Sequence, residues 1–154
     1  MAKRHDFTAA IEWTGNRGTG TSGYRAYDRT WSVTTPGKPV IHCSNDPALG
    51  GDPGLHNPED MLLSALSACH MLWFLHLASD AGIAVTGYRD EPLGIGESEA
   101  SGAGRFVAAV LRPTITLTDP GDAGRADRIH GEIHKVCFIA RSVAFPISVE
   151  ATYA

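Results

Sequence analysis

The chain has 154 residues, of which 43% are hydrophobic and 19% charged, a composition typical of a soluble globular protein. The formal net charge of −4 argues against nucleic acid or an anionic membrane as the main partner, because both require a basic face. A chain of this length is expected to form one domain over residues 1–154. Its N-terminus lacks the apolar segment of a signal peptide, and we expect a cytoplasmic protein.

Short strands and loops are predicted for the first third of the chain. Aromatic and β-branched residues favour strands at residues 7–14, 24–34 and 40–43. Gly, Thr and Ser predict a loop at 15–23, and Asp, Pro and Gly predict another at 45–55.

A long helix is predicted to follow this region. Asn57 can cap its N-terminus, and Pro58 suits its first position. Glu59 lies where the positive end of the helix dipole favours a carboxylate. We expect the helix to run to Asp80 and to stop at Gly82.

The rest of the chain predicts further strands around a second helix. The segments are strands at 83–95 and 105–117, a helix at 121–136, a short helix at 138–143 and a strand at 146–153. Gly124 and Gly131 weaken the second helix. The order of strands, long helix, strands, helix and strand indicates the α+β class.

The long helix is apolar on nearly every face, which predicts burial all round. Its apolar run at 61–78 approaches the length of a membrane span, but serines and histidines interrupt it, so we predict a buried helix and no membrane partner. One chain offers little to surround a helix of about 35 Å. We therefore expect a homodimer with this helix at its centre, where small residues such as Ser64 and Ala68 let a second backbone approach.

Three cysteines are candidates for redox chemistry, although no CxxC pair is present. Cys43, on a predicted strand edge, is interpreted as a small buried hydrophobe. Cys69 lies in the middle of the long helix, so a cation would have to lower its pKa for it to react as a thiolate. Cys137 lies between two helical segments, where the start of the second and Arg141 could lower its pKa.

A metal site is the competing interpretation of the same region. His130, His134 and Cys137 are spaced to share one helical face, and Cys69 and His76 share another. Cysteine and histidine at such spacings can bind zinc. The alternative, which we favour, is that both histidines of the second helix are ordinary surface residues.

Two sequence motifs resemble those of the OsmC/Ohr family. The first motif is NPEDMLLSALSACH, in which a cysteine follows ten residues after the glutamate. The second is VCFIARSVAFPISVEATY, which is similar to the second-cysteine motif and closing strand of the family. The segment WTGNRGTGTSGYRAYDR also resembles the family's first strand and loop.

The resemblance implies an OsmC-like α+β fold, in which antiparallel sheet wraps a long buried central helix within an intertwined homodimer. It implies a thiol peroxidase that reduces organic hydroperoxides without a cofactor or bound metal. It also implies an external dithiol reductant, such as a lipoyl group on a protein. A non-catalytic OsmC-like dimer that binds a small ligand, or a metal at His130, His134 and Cys137, is the alternative.

The resemblance also implies roles for individual residues. Cys69 would attack the peroxide and Cys137 would resolve the product as a disulfide. Glu59 would pair with an arginine that holds the thiolate. Arg17 matches the family position for this arginine, and Arg29 is its rival.

The sequence leaves the choice of arginine open and departs from the family pattern after the second cysteine. Arg25 is a third candidate for the arginine, and Phe138 stands where the family commonly has a proline after the second cysteine. The ten residues from Glu59 to Cys69 correspond to about 15 Å along a straight helix. Either the helix breaks early, or Glu59 serves Cys69 of the partner subunit. We expect the second arrangement, which gives composite sites at the dimer interface.

Overall fold

The computed structural model describes residues 3–154 and has the predicted mixed α+β architecture. Its described residues form two α-helices, α1 (Pro58–Asp80) and α2 (Ala123–Ile133). They form nine strands, which are β1 (Ala10–Trp13), β2 (Trp31–Thr34), β3 (Ile41–Cys43), β4 (Val85–Asp90), β5 (Leu93–Ser98), β6 (Gly104–Leu111), β7 (Pro113–Leu117), β8 (Ile147–Val149) and β9 (Thr152–Tyr153). Short 3₁₀ turns lie at Pro47–Leu49, Pro120–Asp122 and Ala140–Ser142.

The chain divides into two compact units, Met1–Met61 and Leu62–Ala154, and the single domain expected for the whole chain stays a prediction. In the first unit, β1, β2 and β3 form an antiparallel sheet in that order. Trp31 on β2 donates its indole N–H to the Ser44 carbonyl 2.8 Å away, which ties the sheet to the loop after β3. Cys43 is fully buried, which agrees with its interpretation as a small hydrophobe.

The second unit contains two three-stranded sheets, ordered β4–β7–β9 and β5–β6–β8. The β4–β7 and β5–β6 pairs are antiparallel, as expected. The β6–β8 and β7–β9 pairs are parallel, so these sheets are mixed. Phe74 of α1 packs with Ile115 of β7 and Ile133 of α2 in the larger core cluster, which joins both helices to a sheet.

The predicted helix signals are confirmed at both ends of α1. The Asn57 side-chain oxygen accepts the Asp60 backbone N–H at 2.8 Å, and the Asp60 carboxylate accepts the Asn57 backbone N–H at 3.3 Å. This reciprocal pair satisfies donors that a helix N-terminus leaves free. Gly82 follows the helix with a φ of 71°, a conformation that favours glycine.

Within one chain, α1 buries a single stripe of side chains at four-residue intervals: Leu66, His70, Phe74 and Ala78. Leu72, on another face, is 62% exposed. Burial on nearly every face would therefore require a partner subunit, and the dimer stays a prediction. Among residues 3–154, α1 is the one helix long and apolar enough to cross a membrane, a test that core helices of soluble proteins also pass.

Several predicted elements were too long. The strands predicted at 83–95 and 105–117 are each divided in two. Pro92, between β4 and β5, cannot donate a backbone N–H to a ladder. Arg112, between β6 and β7, donates its backbone N–H to the Asp90 side chain instead. The strand predicted at 24–34 begins only at Trp31. Three further predicted elements are shorter in the structure. The predicted helix at 121–136 is α2, the predicted helix at 138–143 is a 3₁₀ turn, and the predicted strand at 146–153 is divided into β8 and β9.

Candidate active site

Two of the three cysteines meet in the second unit. The Cys69 and Cys137 sulfurs are 2.7 Å apart, although the residues are separated by 68 positions in the chain. Both are free thiols, Cys69 half-buried and Cys137 fully buried. Two cysteines with adjacent sulfurs can be oxidised to a disulfide, whose bond length is about 2.05 Å, with little movement of the backbone.

The core packing of the two helices places these cysteines. Cys69 lies on α1 beside the buried stripe and packs against the larger core cluster. Cys137 follows α2, and its backbone N–H donates to the Ile133 carbonyl at 2.8 Å, which continues the helical path past the end of α2. Because Ile133 and Cys137 belong to the same buried cluster, the packing of α2 fixes the position of the second sulfur.

The environment of Cys137 favours the neutral thiol. Burial, and then the hydrogen bond to Cys69, raises the pKa of Cys137 to about 11. The backbone N–H of Ala140 donates to its sulfur at 3.4 Å and lowers the pKa, as predicted for the start of a following helical turn. Burial outweighs this contribution, so the predicted lowering of the Cys137 pKa was wrong in net direction.

A buried pair of histidines lies beside the cysteines, and sequence reasoning did not identify it. His70 Nε2 and His130 Nδ1 are 2.8 Å apart, and one must donate to the other. Their rings stack with centroids 5.1 Å apart, and the Phe74 ring stacks on His130 at 4.7 Å. The spacing of His70 could have indicated its burial, because it lies four residues from both Leu66 and Phe74 on the buried stripe.

Burial lowers the pKa of both imidazoles. The pKa of His70 falls to about 3 through burial and the neighbouring His130 and His134. The pKa of His130 is lowered by burial, although Asp127 and Asp90 act in the opposite direction. Both histidines are therefore neutral at pH 7, and each can offer one donor and one acceptor nitrogen.

The structure does not support the zinc interpretation. Across residues 3–154, no three or more histidine, cysteine or acidic side chains form a group that could hold a metal ion. The predicted set of His130, His134 and Cys137 fails because His130 turns inward to His70 and Cys137 turns to Cys69. The expectation that His130 is a surface residue was also wrong, since it is 6% exposed.

A second polar contact fastens α1 to the sheet in this unit. The Ser67 hydroxyl donates to the Asp90 carboxylate at 2.5 Å, two positions before Cys69. The other Asp90 oxygen accepts the Arg112 backbone N–H at 2.7 Å. Asp90 thus anchors the helix that carries Cys69 to the point where β6 turns into β7.

The candidate arginines and Glu59 lie in the first unit. Arg17 donates to the Arg25 carbonyl, and its guanidinium is 3.6 Å from the Asp28 carboxylate. Glu59 lies in the first turn of α1 and forms no ion pair with Arg17 or Arg29 in that unit. The predicted Glu59–arginine pair is therefore not made within this unit, and the roles assigned to all three residues stay predictions.

Arg29 is held between two aromatic rings. Its guanidinium carbon lies 4.3 Å from the Tyr24 ring centroid and 4.4 Å from that of Tyr27. It donates to the backbone carbonyls of the same residues at 2.7 and 2.9 Å. Arg29 thus contacts both tyrosines through ring and backbone, whereas the Arg17 side chain is about half exposed.

Comparisons with known proteins agree with this architecture. A search of the curated proteins found no match. An OsmC-like protein of unknown function from Vibrio cholerae is 26% identical, with a TM-score of 0.86 over 97% of this chain and all of that one. Organic hydroperoxide resistance proteins from Elizabethkingia anophelis and Legionella pneumophila are 18% and 16% identical, both with TM-scores of 0.67. The first covers 99% of both chains, and the second covers 98% of this chain and 99% of its own.

The family assignment comes from the sequence itself. The family model described as OsmC-like protein matches residues 51–152, which include both cysteines of the close pair and the whole of both helices. This match covers well over half of the chain. The protein belongs to the OsmC-like family.

Proposed function

We propose that this protein is a thiol peroxidase that reduces organic hydroperoxides at Cys69 and Cys137. The observation that carries the proposal is the 2.7 Å separation of the two sulfurs, since a peroxidase of this kind must close a disulfide in each cycle. The family assignment supports it, as do structural relatives named for organic hydroperoxide resistance. A reducing compartment such as the cytoplasm would keep both thiols available.

The chemistry begins at Cys69, the more accessible of the two sulfurs. Its thiolate attacks one peroxide oxygen, so that an S–O bond forms and the O–O bond breaks. Cys69 is oxidised to a sulfenic acid, and the peroxide is reduced to an alcohol that takes a proton from solvent. A guanidinium from Arg17 or Arg29, oriented by Glu59, would stabilise the thiolate.

The second half of the cycle uses Cys137. Its sulfur attacks the Cys69 sulfenic sulfur, an S–S bond forms, and the hydroxyl leaves as water with the thiol proton. An external dithiol then reduces the disulfide by two exchange steps and leaves as its own disulfide. A buried resolving thiol suits this order, because it reacts with its neighbour rather than with the peroxide.

Cysteine variants test the proposal with cumene hydroperoxide as substrate and dithiothreitol as reductant. We expect Cys69→Ser to abolish turnover, and Cys137→Ser to consume about one equivalent of peroxide before it stops. Mass spectrometry of the wild-type protein should find an intrachain Cys69–Cys137 disulfide after mild oxidation. Cys43→Ala, which removes a thiol outside the pair, serves as the control and should retain turnover. Full activity in Cys69→Ser would refute the proposal.

We also propose that the active form is a homodimer in which α1 packs against its counterpart. The support is the single buried stripe on a helix that is apolar on most faces, with Leu72 left 62% exposed. Sedimentation should give about twice the chain mass, and Leu72→Glu should shift the protein toward the monomer. A monomeric wild-type protein with full turnover would contradict the dimer and the composite sites that depend on Glu59.

A further inference from the structure

The hydrogen bond between His70 and His130 joins the two chain segments that carry the cysteines. His70 immediately follows Cys69 on α1, and His130 precedes Cys137 by seven residues, or about two helical turns. Both imidazoles are buried, at 2% and 6% exposure. The bond therefore links α1 to α2 within the same core as the two sulfurs.

A movement of α2 relative to α1 would change both the imidazole contact and the sulfur contact. Cys137 is coupled to α2 through the hydrogen bond from its backbone N–H to the Ile133 carbonyl. Disulfide closure tolerates only a narrow range of backbone separations. The separation of the two helices thus sets how readily the disulfide forms.

The hydrogen bond between the imidazoles restricts the separation of α1 and α2 to a narrower range than apolar packing alone would. A buried nitrogen that loses its hydrogen-bond partner has no water to replace it, so displaced arrangements are disfavoured. Apolar contacts such as those of Leu66 on the same stripe are non-directional and tolerate small shifts. We infer that His70 and His130 are positioning residues that hold Cys69 and Cys137 at disulfide distance. The inference rests on the proposed function, in which that disulfide forms in every cycle.

Two amide variants of His70 separate the effect of its hydrogen bond from the effect of its side-chain volume. A glutamine amide nitrogen can occupy the position of the imidazole Nε2, whereas the shorter asparagine amide cannot reach it. The Cys69–Cys137 disulfide is titrated against ratios of reduced and oxidised dithiothreitol, and circular dichroism confirms that each variant is folded. We expect His70→Gln to keep the disulfide equilibrium constant within about twofold of wild type, and His70→Asn to lower it about tenfold.

Leu66→Ala is the control for general loss of core packing. It removes a buried side chain from the same stripe, one turn before His70, without touching the imidazole pair, and should change the disulfide equilibrium less than His70→Asn does. Equal constants for the two amide variants, or a shift in Leu66→Ala as large as that in His70→Asn, would overturn the inference. Because the titration uses no peroxide, its result stands whether or not the protein turns over cumene hydroperoxide.

Discussion

Cys137 is the residue whose surroundings most clearly set its reactivity. Its pKa of about 11 means that, near pH 8, its thiolate fraction is roughly two hundredfold below that of a free cysteine with a pKa of about 8.5. We expect iodoacetamide to label Cys137 in the folded, reduced protein at least about a hundredfold more slowly than in the urea-unfolded chain. Peptide mass spectrometry measures both rates. Labelling of the folded protein at the unfolded rate would contradict the raised pKa.

The sequence predicted the two cysteines that come together but not their surroundings. The family resemblance identified Cys69 and Cys137, and the structure brings their sulfurs together. Propensity and spacing could not predict that His130 faces inward, because its orientation depends on a contact with His70 across 60 residues. The raised pKa of Cys137 could not be predicted either, since burial by distant segments outweighs the effect of the local N–H donor.

Two glycines, one after α1 and one in α2, offer a matched pair of substitutions. Gly82, after α1, has a φ of 71°, where an alanine is strained even though its Cβ would meet no neighbouring atom. Gly124 lies inside α2, also with open space around a new Cβ, but its φ is not positive. We expect Gly82→Ala to lower the free energy of unfolding by about 1 kcal/mol, and Gly124→Ala to raise it by about 0.5–1 kcal/mol. Urea denaturation measures both, and a change of the same sign in the two variants would contradict this account.

The boundaries of α1 were predictable because their signals are local. Asn57 and Gly82 act within a few residues of the ends of α1, and both perform their predicted roles. Strands were overextended because their ends depend on distant partners. Arg112, for example, directs its backbone N–H to the Asp90 side chain, which interrupts the strand between β6 and β7. The parallel pairings of β8 with β6 and of β9 with β7 involve strands of three and two residues, too short to carry a periodic signal.

The neutral histidine pair makes the stability of the folded protein depend on pH. His70 faces His130 on α2 and His134, which immediately follows that helix, and burial is the largest cause of its lowered pKa. His130 is influenced by Asp127 on its own helix and by Asp90 on β4, which favour protonation without cancelling the effect of burial. Because both pKa values lie below those of the unfolded chain, the unfolded state binds protons first on acidification. The stabilisation is complete above about pH 6.5 and declines as the pH falls toward 3.

Acidification should therefore destabilise the protein through His70 in a way that a variant can isolate. Between about pH 7.5 and 5, the His70 contribution to the free energy of unfolding should fall by about 2 kcal/mol, since its unfolded pKa lies about 1.5 units above the lower pH. His70→Phe keeps an aromatic ring of similar size that cannot take up a proton. Its loss of stability over the same interval should be smaller than that of wild type by about this amount, whatever its stability at neutral pH. Urea unfolding of both proteins at the two pH values measures the difference. Equal losses would mean that the acid sensitivity arises elsewhere and that the folded protein accommodates a charged His70.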